Sequence, residues 1–429
     1  MKSRLFLAAV AVLLVLMMVS GAMAEVTTIT FMGWEASPLE TKAGEAGIAK
    51  FEELNPDIKV QYTPGLAGAE YVAKLLSTVA GNSTPDVFFI AAEDYRTFAS
   101  KGVLEELTGK FTDNYSLDDF IPSVQDIMNI DGKVYGIQSC IVAPIVYYNK
   151  DIFDKLGVPY PDADPNNAMT AADFRELCKK LTVKNGDTVE TYGVYGLEAG
   201  WLTVYPFMMS NGVKPYTDDY MTSTFNTPET GEVLSWIRDI RVVDGSAPDA
   251  TTLENIGMSA AQMLQTGKVA MIIDGSWALQ QLSQMDFNIG MAPLPKFKVA
   301  VTDSFAHLHA ISAASSHKEE AWKFVQFLSG MDYQGALVSE GLWMPNRKSM
   351  YEPETVKQWY REDVHGDSYM KMLDYFKNSV VGPMALQKSN KCQSILTEET
   401  DMFFKDGQPL DVTLQNIQDR TNEVLSKLK

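Results

Sequence analysis

The seven tryptophans of this 429-residue chain fall into two groups. Trp236, Trp322 and Trp359 lie inside helix-patterned segments, and the stripe Trp322, Phe324, Val325, Leu328 marks packing positions. The other four each follow a glycine by one or two residues, at the end of a strand-like or helix-like run: Gly33-Trp34, Gly200-Trp201, Gly275-Ser276-Trp277 and Gly341-Leu342-Trp343. Loops at element ends face the surface or a cleft, so these four indoles are predicted to be flat apolar platforms. Polar groups stand close by in sequence. Glu35 adjoins Trp34, Asp274 and Gly275 precede Trp277, Asn346 and Arg347 follow Trp343, and Glu93 and Asp94 follow an apolar run. Such a set matches a ligand with C–H faces and hydroxyl edges, as a pyranose ring has, with stacking contributing about 0.5–1.5 kcal/mol beyond area burial. Aromatic walls with carboxylates also suit a polyamine or other cation.

Signatures of catalysis are missing from the sequence. It has no G-x-S-x-G elbow, no H-E-x-x-H, no Walker A loop and no G-x-G-x-x-G. An exported glycan-cleaving enzyme would need two carboxylates across a scissile bond, and abundant acids alone nominate no pair. His307 and His309 share one face of a strand and could begin a metal site, but His317 and His365 lie far off in sequence. No catalytic residue, metal or cofactor is therefore expected, and His307 is assigned to the binding set.

Composition narrows the partners. A basic start (Lys2, Arg4), an apolar run over 5–19 and Ala22-Met23-Ala24 predict a secretory signal peptide over 1–24. The apolar run is shorter than the roughly 17–25 residues of a membrane span. No cysteine lies near the cleavage point, so an exported, lipid-free chain starting at Glu25 is expected. Without Lys2 and Arg4, 34 basic residues face 55 acidic ones, a balance that repels phosphate backbones and excludes nucleic acid as a partner. Cys140, Cys178 and Cys392 are widely spaced, and at least one must stay unpaired.

The elements that must position these residues alternate. Residues 27–34, 58–62 and 86–90 read as strands, with helices over 39–54 and 71–80 and another ending before Gly102. "DVFFI" is the continuous apolar kind of strand buried on both faces of a parallel sheet. Further on, "GKVYGIQ" and "IVYYNKD" are strand-like. "TAADFRELCKKLT" is a helix capped by Thr170, with Cys178 on its apolar face, and a second helix opens at Thr227-Pro228. From His317 the chain reads as mostly helical. This is the grammar of an open α/β sheet, in which ligands sit beyond the carboxyl ends of strands. About 405 residues after the signal peptide exceed one ordinary core. Without a linker, the two lobes are expected to exchange chain at 138–144, 293–298 and 341–348, where Pro or Gly interrupts strand ends.

Taken in order, "TPDVFFIAAEDYRTFASKGVLEEL", "DGKVYGIQ" leading to "YYNKDIFDKLGV", "GKVAMIIDGSWALQQL", "APLPKF" and "HAISAASSHKEEAWKFVQFLSG" resemble the extracellular solute-binding proteins of ABC importers, in the sugar-binding family that includes maltose-binding protein. The likeness spans essentially all of the chain after residue 24. It implies a periplasmic binding protein fold of two hinged α/β lobes, here 25–138 with 299–342 and 139–298 with 343–429. It further implies a sugar bound between the lobes, a monomeric receptor and ABC permease subunits as partners. In that family the tryptophan after the "GKxAM…G" strand stacks on sugar, which corresponds to Trp277, and the loops holding Trp34, Glu35, Glu93 and Asp94 supply contacts. Where maltose-binding protein has an aromatic and a basic residue, Ile90 and Asp94 stand here, and a maltose-contacting carboxylate has no counterpart over 139–144. The resemblance thus implies a sugar receptor without naming the sugar.

Overall fold

The computed structural model describes residues 26–35, 37–64, 67–198 and 200–428. The signal-peptide expectation for 1–24 lies outside the described residues, as does the side chain of Trp201. The chain opens β1 (Thr27–Met32), α1 (Pro38–Leu54), β2 (Ile58–Thr63), α2 (Gly68–Ala80), β3 (Val87–Ile90) and α3 (Ala92–Ser100), then reaches β4 (Gly136–Gln138) and β5 (Pro144–Asn149). Next come α4 (Ala171–Leu181), β6 (Val183–Asn185), β7 (Thr188–Tyr195), α5 (Trp201–Ser210), α6 (Pro228–Arg238), β8 (Val269–Gly275), α7 (Ala278–Leu282) and β9 (Ile289–Ala292). The last part holds β10 (Asp303–Ser304), β11 (Leu308–Ile311), α8 (Lys318–Leu328), α9 (Met331–Ser339), α10 (Leu373–Lys377), β12 (Val380–Val381), α11 (Pro383–Leu386), α12 (Asn390–Lys405) and α13 (Leu410–Ser426).

Two five-stranded sheets result, one per lobe, and the α/β class follows. The first has the order β2-β1-β3-β11-β4 and the second β9-β5-β8-β7-β6. In the first sheet β1, β2 and β3 run parallel, while β11 returns antiparallel to both β3 and β4. All four residues of β3 are buried, as its unbroken apolar run requires, whereas edge strand β2 buries only Ile58. In the second sheet β8 is parallel to β7 and antiparallel to β5.

Helix ends follow local chemistry. The hydroxyl of Ser37 accepts from Glu40 N–H (3.2 Å) while the Glu40 carboxylate accepts from Ser37 N–H (3.0 Å), a capping box that starts α1. Thr170 caps α4 and Thr227 caps α6 through the N–H three residues on. Trp236 and Trp359 are buried and donate their indole N–H to Ala171 O (2.7 Å) and Met350 O (2.9 Å). Trp322 packs edge-on against Tyr115 at 5.4 Å. Cys140, Cys178 and Cys392 are buried free thiols.

Three crossing segments lie side by side between the sheets. Residues 139–143 lead from β4 to β5. Ile141 bridges to Met344 and Val142 bridges to Phe305. The return to the first sheet runs through 302–307, later than the Pro-containing 293–298. Up to that point the chain is held on the second lobe, because Lys296 O accepts from Ala171 N–H (2.8 Å) and Lys298 N–H donates to Ser210 O (3.0 Å).

Candidate functional site

Both sheets point the carboxyl ends of their parallel strands into one cleft. Tyr71 fixes the first end by placing its hydroxyl on Phe89 O (2.7 Å) and Met32 O (3.2 Å), which ties β3 to β1. Trp34 leaves β1 there, Glu93 begins α3 just beyond β3, and His307 enters β11 beside them. The rings of Trp34 and His307 are 4.2 Å apart. The second sheet contributes the turn after β8. Asp274 accepts from Gly275 N–H (2.7 Å), Ser276 N–H donates to Ala143 O (2.9 Å), and the Tyr147 hydroxyl bonds Gly275 O (3.2 Å). This turn is clamped to a crossing segment, and the Trp277 indole folds back over Gly275, where a Cβ would stand 2.2 Å from the ring. Trp277 meets Phe305 edge-on at 6.1 Å. Trp343, set by the left-handed Gly341 (φ 75°), leans on Tyr333 at 6.3 Å.

Together these walls enclose a cavity of about 1020 Å³, lined by Trp34, Trp277, Trp343, Phe305 and Met384 on its apolar side and by Glu93, Asp274, Gln280, Gln281 and Gln284 on its polar side. That volume is at the top of the usual range for small-molecule sites. A chamber of about 370 Å³ adjoins it, sharing Ala260 and Asp274 and adding Tyr195, Glu198 and Thr203. Burial raises the Asp274 carboxyl to about 6, against the Gly275 N–H that lowers it. Burial also raises Glu93 and Glu198, with Arg241 opposing the rise at Glu198. His307 is pushed down to about 4 by desolvation and is neutral at pH 7. Near neutral pH the cavity therefore presents hydrogen-bond acceptors, amides that both donate and accept, and flat rings.

Of the sequence-predicted set, the structure brings Trp34, Glu93, Asp274, Trp277, His307 and Trp343 to the cavity wall. Gly275 is behind the Trp277 ring. Glu35 turns back and accepts from the Tyr62 hydroxyl. Asp94 is one position past Glu93 and accepts from Asn390 across the lobes (3.2 Å). Asn346 is fully buried and donates to Gln138 O, bracing the crossing segments. Arg347 pairs with Asp119 (2.6 Å) and covers the Tyr115 ring at 5.2 Å. The backbone of Trp201 opens α5 beside the smaller chamber, where Gly200 and Leu202 line the wall. Sequence reasoning did not single out Gln280, Gln281, Gln284, Phe305 or Glu198. Of these, Gln280 and Gln284 carried a readable signal, because residues spaced i, i+4 after a platform stack one turn apart, and Gln284 donates back to Gln280 O (3.0 Å). His309 is 0 % exposed with both ring nitrogens unpartnered, and no group of three or more His, Cys, Asp or Glu comes together among the described residues.

The profile of the bacterial extracellular solute-binding proteins matches residues 36–335. A maltooligosaccharide ABC transporter solute-binding lipoprotein of Streptococcus pneumoniae is 25% identical over 347 residues, covering 80% of this chain and 77% of its own. An ABC substrate-binding protein of Listeria monocytogenes, solved in complex with cycloalternan, superposes with a TM-score of 0.80 at 25% identity, covering 93% of this chain and 99% of that one. The sugar-binding protein MalE of Xanthomonas citri superposes with a TM-score of 0.78 at 20% identity, over 94% and 98% of the two chains.

Proposed function

The chain belongs to the bacterial extracellular solute-binding protein family, and from that premise we propose that it is the receptor of an ABC importer that captures a sugar or oligosaccharide between its lobes and hands it to membrane permease subunits. The observation that carries this reading is the cavity, in which three indoles from both lobes face carboxylates and amides. Indole faces take the C–H faces of sugar rings, and Glu93, Asp274, Gln281 and Gln284 take the hydroxyl edges. Relatives named for maltooligosaccharides and a structural neighbour holding cycloalternan support the same class of ligand. The lobes are assigned as 25–138 with 308–342 and 139–301 with 343–429, the return crossing over 302–307 lying between them, with closure as the functional motion. The receptor works by capture rather than turnover, as a monomer, exported once 1–24 is removed. Among the described residues no helix is long and apolar enough to cross a membrane.

The test is a thermal-shift and calorimetric panel of neutral oligosaccharides with spermidine as comparator. A stabilising, saturable response to at least one oligosaccharide, with none to spermidine, is expected. Stabilisation by spermidine alone would replace the sugar reading with a cationic solute.

A further inference from the structure

Asp303 is 1 % exposed, and neither of its carboxylate oxygens has a hydrogen-bond partner. It lies in β10, opposite Val380 of the parallel strand β12. Gly382 brings bare backbone over the carboxyl group, so that a Cβ there would stand 2.7 Å from Oδ2. Among the described residues two buried tyrosines interact with it electrostatically, both pushed above their ordinary range chiefly by burial: Tyr205 of α5 and Tyr375 of α10. Their hydroxyls are engaged elsewhere, Tyr375 donating to Val301 O (2.8 Å) and Tyr205 sharing a bond with Tyr216 (3.3 Å). Among the described residues no cation is paired with Asp303. An unpaired carboxylate in such a place is strongly disfavoured against its neutral form, and burial raises this carboxyl to about 7 against the pull of its own backbone N–H.

Its position gives this anomaly a consequence. Thr302 on one side anchors to Pro144 O (2.8 Å), and Phe305 on the other bridges to Val142. Asp303 thus sits where the return crossing leaves the second lobe, in the segments that must bend if the lobes separate.

We propose that Asp303 is a proton-operated latch on lobe opening: it is dry and uncharged while the crossing segments are packed as here, and is wetted and ionised when they bend. This rests on the two-lobed receptor reading, but it concerns the ligand-free protein, so it can fail while sugar binding stands. Once wetted, the carboxyl returns to its ordinary range and loses its proton above about pH 4. Packed, it keeps the proton to about 7. Across that window the closed form holds one more proton. Opening therefore becomes easier as pH rises from about 4 to about 7, by up to about tenfold per pH unit in the open-to-closed ratio, and changes no further above that.

Small-angle scattering of the ligand-free protein at pH 5 and pH 8 tests this, with Asp303→Asn and Asp303→Ser as two uncharged replacements and Asp274→Asn as a control for the cleft carboxyl. The parent and Asp274→Asn are expected to show a larger radius of gyration at pH 8 than at pH 5, and the Asp303 variants to stay compact at both. A parent radius unchanged between the two pH values overturns the proposal even if neither Asp303 variant folds. So does an Asp303 variant that swells as the parent does. A variant that alters only the pH dependence of melting, in a parent whose radius does not respond to pH, shows a carboxyl buried for structure alone and overturns the latch as well.

Discussion

Gly275 leaves the space into which the Trp277 ring folds, and its backbone needs no left-handed geometry, so the constraint there is steric. Gly275→Ala is expected to keep the fold and push the indole off its platform, lowering ligand affinity nearly as much as Trp277→Ala. Trp277→Ala itself should cost about 2–4 kcal/mol of binding and little stability, because its ring is only part-buried. Trp322 is 6 % exposed and wedged between Phe111 and Tyr115, so Trp322→Ala should cost about 3–5 kcal/mol of stability and leave affinity unchanged in the folded fraction. Calorimetric titration and thermal melts of the three variants separate these outcomes. A Trp277→Ala protein that binds normally but melts far lower would make Trp277 a core residue. Trp34, Trp277 and Trp343, which reach the cleft, were readable because a glycine just before a tryptophan at an element end is a local signal. The destinations of Glu35, Asn346 and Arg347 were not readable, because their partners lie 27, 208 and 228 residues away.

Among the elements, β3, α4 and α6 were legible for the same reason: an apolar run, or a capping threonine with its stripe, is complete within a dozen residues. The two-residue strands β10 and β12 carry no periodicity to read. The return crossing lies beyond its proline signals because hydrogen bonds to Ala171 and Ser210 hold 296–299 on the second lobe. Strand β11 also conceals a titrating group. His309 is packed between Phe89 and Phe31, and desolvation pushes it down to about 3. An unfolded histidine takes up a proton below about pH 6.5 while this one stays neutral, so its contribution to stability is present above 6.5 and is lost as pH falls toward 3, by up to about 1.4 kcal/mol per unit. Asp274 acts in the opposite sense. Its raised carboxyl favours the folded state at low pH, and that benefit fades as pH rises from about 4 to about 6. His309→Leu should therefore melt no lower than the parent at pH 7 and lose less melting temperature between pH 7 and pH 5. An equal loss would assign the acid sensitivity to other groups.

In the whole molecule, the two lobes touch across the cleft as well as through the crossings. Ser37 at the head of α1 donates its hydroxyl to Gln280 of α7 (3.2 Å), and Asn390 at the start of α12 donates to Asp94 (3.2 Å). Among the described residues these bonds join elements linked along the chain through the crossing segments, so an opening of the cleft would break them and closure over a ligand would form them again. A ligand that touches both lobes must favour the closed form by its difference in affinity for the two forms. Saturating sugar should then bring the radius of gyration down toward the about 22 Å expected of a compact chain of this length. The cross-cleft bond adds a finer test. Gln280→Ala and Ser37→Ala should each weaken sugar binding by about 0.5–1.5 kcal/mol, and the double variant should weaken it no further than either alone, because both remove one shared bond. If the two losses add instead, Gln280 holds the sugar directly and Ser37 acts through the cap of α1. Closure would then be driven by the ligand bridging Trp34 and Trp277 rather than by contacts between the lobes.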